Sequence, residues 1–552
     1  MNVLLIDPAG SQTNVTHNVG LAYLSGSLSE QGYNVAVLDL NNYTYSEQEL
    51  ESFCRYFKPD WIGFSVKTAL VASAEKTARL LKRACPDACF VVGGPHLSVT
   101  RENYMTQQNV YDYGLLGEAE RSFVALVNGD DPDGIPGLFY RRGENWVVNE
   151  PQLVFDLESI AYPTYKTWDR IDRSLFSYPM VHSRGCPYHC SYCSVPQING
   201  RKFRKRSAES VIDELKSARR EYVFRTFEFI DDNFTLDIDH AKTVCESLIK
   251  ADLGVGWYAN NGIRADRLDA ELSKLMKRSG CLGVAVGIES ADEEILAGVN
   301  KGETLDDLRH GISLLKKAGI VVGGHFIVGL PGDTLDKVKQ SVQFKDDVGL
   351  DYAYFNQLVP YPGTKVYDWV NEHATLLVDD VTNTAHFGGE IKVLMETPEF
   401  PKEERKYILD LLATDCSDDE IDDFEFKKIF ADRVDLRVLL IRSGRMDPYA
   451  EVRALLPTGS QLDLLAPYGL NIEHSALDKK IEYPYPGMMQ YNRLPAEKKK
   501  QLKGYDIVIY LNTVQSNMNF DNIVTIGQNC GKRIFEYRPG GKLKEAKKSS
   551  VF

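Results

Sequence analysis

The sequence predicts an α/β protein built of three units. These are an N-terminal doubly wound parallel sheet, a central partial barrel of six βα units and a small C-terminal α/β domain. Three observations predict this. Apolar runs of strand length alternate with segments of helical spacing in two long series, the pattern of parallel sheets. A stretch studded with prolines, 131–177, separates the two series. The 552 residues also exceed what one hydrophobic core holds, at roughly 100–200 residues per domain.

In the first unit, residues 1–130, strands are expected at 2–6, 34–38, 61–65 and 89–92, with helices at 20–31 and 72–84. Ligands of such sheets sit at the carboxyl ends of strands, near the point where strand order reverses. The candidate turns there are Asp7-Pro8, Ser65 to Thr68, Gly93 to His96 and Gly117-Glu118. After the connector, 178–370 reads as strands at 179–183, 226–230, 256–260, 283–287, 321–328 and 352–358, with a helix between each pair. Six units are too few for a complete eight-fold barrel, so a partial one is expected. Residues 371–433 read as a helical and linker extension, acidic at 415–423. In the last unit, 434–552, strands are expected at 436–441, 461–465, 506–511 and 533–537 around short helices.

Composition narrows the function. Hydrophobic content of 43% and charged content of 26% are ordinary for a globular protein. No apolar run approaches the roughly 20 residues of a membrane helix. Met1 leads directly into the first strand without a basic region or cleavage site, so the expected location is the cytoplasm. A net charge of −14 argues against a nucleic-acid partner, and the basic run 201–206 (RKFRKR) reads as a solvated loop. Of ten cysteines, Cys54, Cys85, Cys89, Cys245, Cys281, Cys416 and Cys530 are scattered and read as small apolar residues. Cys85 and Cys89 lack further ligands nearby for a metal site.

The other three cysteines carry the chemistry. Gly185-Cys186-Pro187-Tyr188-His189-Cys190-Ser191-Tyr192-Cys193 follows a predicted strand and has C-x3-C-x2-C spacing. Three thiolates on such a loop can hold three corners of an iron–sulfur cubane and leave the fourth iron open to a substrate. Zinc is the competing reading. Its structural sites take four ligands, and His189, lying between two of the cysteines, is expected to point outward.

This loop resembles that of the radical S-adenosylmethionine superfamily, with Tyr192 as the aromatic before the last cysteine. The resemblance covers about 178–370. It implies that Cys186, Cys190 and Cys193 bind a [4Fe–4S] cluster whose open iron takes the amino and carboxylate groups of S-adenosylmethionine. It further implies that Asp231 or Asp232 accepts from the methionyl amine and that Arg264 pairs with the carboxylate. Glu289 would lie near the ribose or amine, and Leu330-Pro331 would form the adenine-side turn.

The first unit resembles the Rossmann-like cobalamin-binding domain that precedes the barrel in one class of these enzymes. The matching pieces are Asp7-Pro8, the Leu21 helix, Ser65, Val66, Lys67 and Thr68, Gly93-Gly94-Pro95-His96, and Gly117-Glu118. The Asp-x-His-x-x-Gly signature of methionine-synthase-type domains is absent after the first strand. The resemblance then implies no histidine under cobalt, His17 included, and the 65–70 loop beneath it. A methylthiotransferase is not expected, because Cys54, Cys85 and Cys89 lack the arrangement of a second cluster.

The function expected from the resemblance is C-methylation of an unactivated carbon, using a 5′-deoxyadenosyl radical and methylcobalamin. Ring contraction, cyclisation or rearrangement without methyl transfer is the enzymatic alternative, and a redox sensor the non-enzymatic one. The expected partners are a small-molecule or natural-product-precursor substrate and an electron donor such as flavodoxin or ferredoxin. No catalytic acid or base is assigned from sequence.

Overall fold

The computed structural model describes residues 1–10, 17–171, 175, 177–378 and 392–413. Beyond these it describes 420–421, 437–442, 452, 460–467, 477–483, 507–511, 533–538 and 542–545.

The N-terminal unit contains β1 (Asn2–Asp7), α1 (Val19–Glu30), β2 (Asn34–Asp39), α2 (Glu47–Phe57), β3 (Trp61–Ser65), α3 (Val71–Ala84), β4 (Cys89–Gly93), α4 (Pro95–Thr100), α5 (Glu102–Gln107), β5 (Tyr113–Leu115) and α6 (Glu120–Asn128). The sheet order is β2-β1-β3-β4-β5, all parallel, so it reverses between β1 and β3. Alternation along β1 separates two cores. Val3 and Leu5 pack with Leu21 and Leu28 of α1, while Leu4 and Ile6 pack with Leu50 of α2 and Leu81 of α3. The scattered Cys54 and Cys85 belong to this second core, as small apolar residues.

The sheet does not stop at residue 130. β6 (Leu138–Arg142) and β7 (Asn145–Val148) add an antiparallel hairpin to β5, inside the expected connector. The prolines at 132, 136 and 151 flank this hairpin rather than interrupt it, which is where strand prolines belong. The rest of the connector is a clamp. The amide of Val37 donates to Thr167 O and that of Asp169 to Val37 O, both at 2.9 Å, which covers the free edge of β2.

The central unit comprises β8 (Tyr178–Met180), β9 (Ser183–Arg184), α7 (Val195–Ile198), β10 (Arg204–Lys205), α8 (Ala208–Glu221), β11 (Thr226–Phe229), α9 (Ile238–Ala251), β12 (Gly256–Ile263), α10 (Ala270–Arg278), β13 (Cys281–Glu289), α11 (Glu293–Gly298), α12 (Leu305–Lys317), β14 (Val321–Val328), α13 (Leu335–Asp347) and β15 (Tyr352–Gln357). Strands β8-β11-β12-β13-β14-β15 form one parallel six-stranded sheet, the expected partial barrel. Ser207, Asp237, Asp269, Thr304 and Thr334 each accept a backbone amide at the start of a barrel helix. Such caps contribute about 1 kcal/mol apiece. Phe227, Phe229, Val284, Val286, Ile288, Val322 and Phe326 face the helices. The alternate positions face the lumen, whose floor is Tyr258, Val321 and Tyr352.

The first barrel strand ends at Met180 rather than 183. Asp231 Oδ1 takes the amides of His182 and Ser183, at 2.8 and 3.1 Å, and turns the chain out of the sheet. Residues 183–184 then pair with 204–205.

Beyond the barrel lie α14 (Lys365–His373), β16 (Thr375–Leu376), β17 (Met395–Glu396) and α15 (Lys402–Ala413). The last sheet contains β18 (Glu420–Ile421), β19 (Arg437–Arg442), β20 (Gln461–Pro467), β21 (Lys479–Tyr483), β22 (Ile507–Leu511), β23 (Arg533–Arg538) and β24 (Lys542–Glu545), in the order β18-β24-β23-β22-β19-β20-β21. The expected strands are present. β18, β21 and β24 were not anticipated, because their charged residues disguise short strands. The helices expected between these strands, Cys416 and Cys530 lie outside the described residues. Among the described residues no helix is long and apolar enough to cross a membrane.

Candidate active site

Cys186, Cys190 and Cys193 are unpaired thiols on one half-buried loop at the carboxyl end of β8. The loop is fixed from several sides. Gly185 has φ +88, and a Cβ there would lie 2.4 Å from Lys202 O, so only glycine fits. The amide of Cys186 donates to Gly200 O at 3.2 Å, and that of Ser191 to Val299 O at 2.9 Å. Ser191 O in turn accepts from the Val366 amide at 3.0 Å. Arg201 Nη1 donates to Tyr188 O at 2.7 Å.

Burial pushes the Cys193 thiol up to about 12, with the neighbouring Cys190 and Cys186 adding to the shift. Burial raises Cys186 as well. Iron binding would have to displace the protons of Cys186 and Cys193. His189 is exposed, and its carbonyl accepts from Asn300 Nδ2 at 3.3 Å. Ser191 Oγ and Asn233 Nδ2 are buried without a partner among the described residues. A thiol triad with orphaned donors beside it suits a cluster that presents an open iron to a polar ligand.

A buried charged chain runs beside the loop. Tyr192 hydrogen-bonds Glu289, and its hydroxyl is raised well above the usual phenol range, by burial and then by the charge of Glu289. Lys301 Nζ donates to Glu289 Oε1 at 3.1 Å and lies 3.5 Å from Glu303. Glu289 ends β13 with φ +67, a conformation that costs a non-glycine residue on the order of 1–3 kcal/mol. Gly287 leaves room for the pair, since a Cβ there would lie 2.9 Å from Glu289 Oε1 and 3.0 Å from Lys301 Nζ. Lys301 was not identified from the sequence, where a lysine between two charged helices reads as surface. The one local signal is the turn it occupies, with Asn300 and Gly302 both at positive φ.

The other expected S-adenosylmethionine residues divide. Leu330 packs in one cluster with Tyr192, so the β14 turn does meet the cysteine loop, and Pro331 follows it half-buried. Asp231 and Asp232 both have partners within the protein. Asp231 is 2% exposed and spends both oxygens on His182 and Ser183. Asp232 accepts from the Gly185 amide at 2.7 Å and from Asn199, so it secures the cysteine loop. Asp231 is thus enclosed by protein donors, whereas Asp232 is half-buried and its Oδ1 takes only the Asn199 amide. Arg264 likewise has protein partners. It donates to Asp266 at 2.9 Å, to Lys301 O at 2.8 Å and to Gly302 O at 3.2 Å, and it stacks 3.7 Å from the Tyr188 ring. It braces the loop that carries Lys301 instead of presenting a free fork to a carboxylate.

At the reversal point of the N-terminal sheet, Asn18 Nδ2 bridges Asp7 Oδ1 at 2.9 Å and Ser65 Oγ at 3.3 Å. Burial pushes Asp7 up to about 6, against the attraction of Lys67. Lys67 itself is exposed at the edge, with Thr68 behind it. Asn41 Nδ2 and Asn42 Oδ1 are buried without partners among the described residues, an unmet polar rim of the kind a cobalamin side chain would satisfy. His17 is held away by Asp39 at 2.9 Å and by the edge of Trp168. Pro8, Leu21 and Val66 are buried core. Gly94, at φ +96, would put a Cβ 2.7 Å from Val66 N, whereas a Cβ at Gly93 meets ordinary contacts. The glycine at 94 thus serves the approach of two protein loops. Pro95 opens α4, and His96 is buried against Thr68 and Tyr104. Gly117 takes φ +64.

Glu118 is corrected from a cobalamin contact to a joint between domains. It accepts from the Val154 amide at 2.7 Å and pairs with Arg204 at 2.7 Å, both side chains 2% exposed. Arg184, two residues before Cys186, pairs with Glu120 at 2.6 Å. Gln197 of α7 donates to Gly363 O at 2.6 Å, so the chain leaving the cluster loop also ties to the end of the barrel.

The B12-binding domain profile matches residues 9–127, and the radical SAM superfamily profile matches residues 180–344. An uncharacterized methyltransferase of Pyrococcus horikoshii is 31% identical over 393 residues, 67% of this chain and 84% of that protein. An anaerobic magnesium-protoporphyrin IX monomethyl ester cyclase of Rubrivivax gelatinosus is 28% identical, over 63% of this chain and 65% of that one. The radical S-adenosylmethionine methyltransferase TsrM from Kitasatospora setae, solved with cobalamin and a [4Fe-4S] cluster, superposes with a TM-score of 0.60 at 20% identity. The match covers 74% of this chain and 90% of TsrM. The chain belongs to the radical S-adenosylmethionine superfamily, among the enzymes with an N-terminal B12-binding domain, and its cofactors are a [4Fe–4S] cluster, S-adenosylmethionine and cobalamin.

Proposed function

We propose that this enzyme methylates an unactivated carbon of a small organic molecule, such as a natural-product precursor, in the cytoplasm. When bound, the cluster supplies the electron that cleaves S-adenosylmethionine to a carbon radical, and cobalamin supplies the methyl group. The observation that carries the reading is the joint made by Glu118 and Arg204. It ties the Gly117-Glu118 turn of the N-terminal sheet to the segment that continues the cysteine loop. Both sets of strand ends are thereby fixed against each other, as transfer between two bound cofactors requires. Cys186, Cys190 and Cys193 would hold the cluster, and Tyr192, Glu289, Lys301, Leu330 and Pro331 would line the S-adenosylmethionine side. Ser65, Lys67 and Thr68 would meet cobalamin, with Asp7 behind them. Arg201 and Lys202 are exposed beside the cysteine loop and suit an acidic electron carrier such as flavodoxin or ferredoxin. The Pyrococcus relative's designation as a methyltransferase agrees with this reading.

The test uses holoenzyme, reductant, methyl-labelled S-adenosylmethionine and a metabolite extract from cells lacking the gene. S-adenosylhomocysteine and 5′-deoxyadenosine should form in similar amounts, and the label should enter a product. Deoxyadenosine without S-adenosylhomocysteine, and an unlabelled product, would replace methylation with cyclisation or rearrangement. Retention of full iron and sulfide content when all three cysteines become alanine would overturn the cluster assignment itself.

A further inference from the structure

The barrel lumen holds a polar layer that the cofactor chemistry does not use. Glu228 of β11 lies opposite Tyr258 of β12 in register, both on the lumen face. Its carboxyl is hydrogen-bonded by Asn260, and among the described residues it forms no ion pair with a lysine or arginine. Burial pushes it up to about 7. Around it, His325 Nε2 sits 2.8 Å from Asn260 O, and the His325 ring stacks on Tyr354 at 5.3 Å and 18°. Tyr352 donates to Asn260 Oδ1 at 3.3 Å. Burial raises the hydroxyls of both Tyr258 and Tyr354, and the charge of Glu228 adds to the shift. Above Leu282, which packs on the floor, the wall between β12 and β14 carries the small residues Gly283 and Ala285 of β13. Asn261 and Asn356 near the mouth are exposed, so solvent reaches in. Glu228 is level with Tyr258 and Val321 at the floor, and His325 and Tyr354 stand above it, below the Glu289 end of β13.

Resting on the reading above, we propose that this layer is the substrate site and that the substrate carries an ammonium group, seated on Glu228 among the rings of Tyr258, Tyr354 and His325. Glu228 is half-buried, and a carboxyl drawn from water without a counter-ion is a costly group to retain. A cation supplies the missing charge, and the electron-rich faces of the rings add to its attraction. An anionic substrate would meet both the carboxylate and the ring faces unfavourably. The titratable groups facing Glu228 are His325, Tyr258, Tyr352 and Tyr354. Cation binding must displace the proton from Glu228, so affinity rises with pH until that carboxyl is ionised.

The test measures binding of 2-phenylethylamine and its neutral counterpart 2-phenylethanol to reconstituted holoenzyme by calorimetry. The amine should bind and the alcohol should not, and Glu228→Gln should weaken the amine about tenfold or more. On the unaltered enzyme the amine's Kd should fall about tenfold per unit between about pH 5 and 7 and then level off. Equal binding of the two probes, no binding of the amine, unchanged affinity in Glu228→Gln or a flat pH profile overturns the proposal. Iron content and substrate-free cleavage of S-adenosylmethionine, measured on the same preparations, report separately on the cofactor assignment.

Discussion

Replacing Gly185 with alanine should unseat the cluster without unfolding the barrel. Two costs add. The residue sits at φ +88, where an L side chain costs about 1–2 kcal/mol. Its Cβ would also stand 2.4 Å from Lys202 O, a backbone atom of a loop held by Arg204 and Gly200, and relieving such an overlap costs about 1–3 kcal/mol. The relief has to move either Cys186 or the 200–202 segment bonded to it, so the sum of roughly 2–5 kcal/mol falls on the cluster loop. Gly332→Ala is the matched control, because it has φ +82 but nothing within 4 Å of the new Cβ. It should show the backbone cost alone. The assay is iron and sulfide content after anaerobic reconstitution, read with the cluster's absorbance. Gly185→Ala should bind markedly less iron while Gly332→Ala binds normally. Full, stable iron loading in Gly185→Ala would refute the claim that the Lys202 contact sets the loop.

Glu118→Ala leaves the Arg204 guanidinium buried without its partner, a loss of about 3–5 kcal/mol. Thermal unfolding should drop by several degrees and cobalamin occupancy should fall, and an unchanged melting curve would contradict the joint. His240 is held down to about 4 by burial and by His182, stacked 5.4 Å away, from an ordinary value of 6.5. Its neutral form is thus the folded form. The stability it contributes is complete above 6.5 and is lost as pH falls towards 4. Melting temperature should therefore decline over that window, and His240→Gln should flatten the decline; equal slopes would remove His240 as the cause.

What the sequence revealed follows from what is local. The cysteine loop, the six barrel strands and the reversal-point turns show themselves by spacing and apolar periodicity. Long-range pairing does not. Asp231, Asp232 and Arg264 were singled out for the right loops, yet their partners are the His182 and Gly185 amides and the 301–302 carbonyls, distant in sequence or hidden in turns. Glu118 read as part of a ligand turn because nothing near it announces Arg204, 86 positions away. The β6–β7 hairpin was masked by its flanking prolines. Glu228 looks like any alternating strand residue until the barrel closes around it.

The paired carboxylates and guanidiniums at the domain boundary bear on how this protein can be taken apart. Glu118, Glu120, Arg184 and Arg204 are charged groups that each half would expose on its own, two negative on one and two positive on the other. Neither half is then a self-sufficient module, and heat or denaturant should melt both together in one cooperative transition. Chimaeras that exchange the N-terminal domain with that of another enzyme need the arginines transplanted along with the glutamates. A change on one side of this boundary therefore has to be matched on the other.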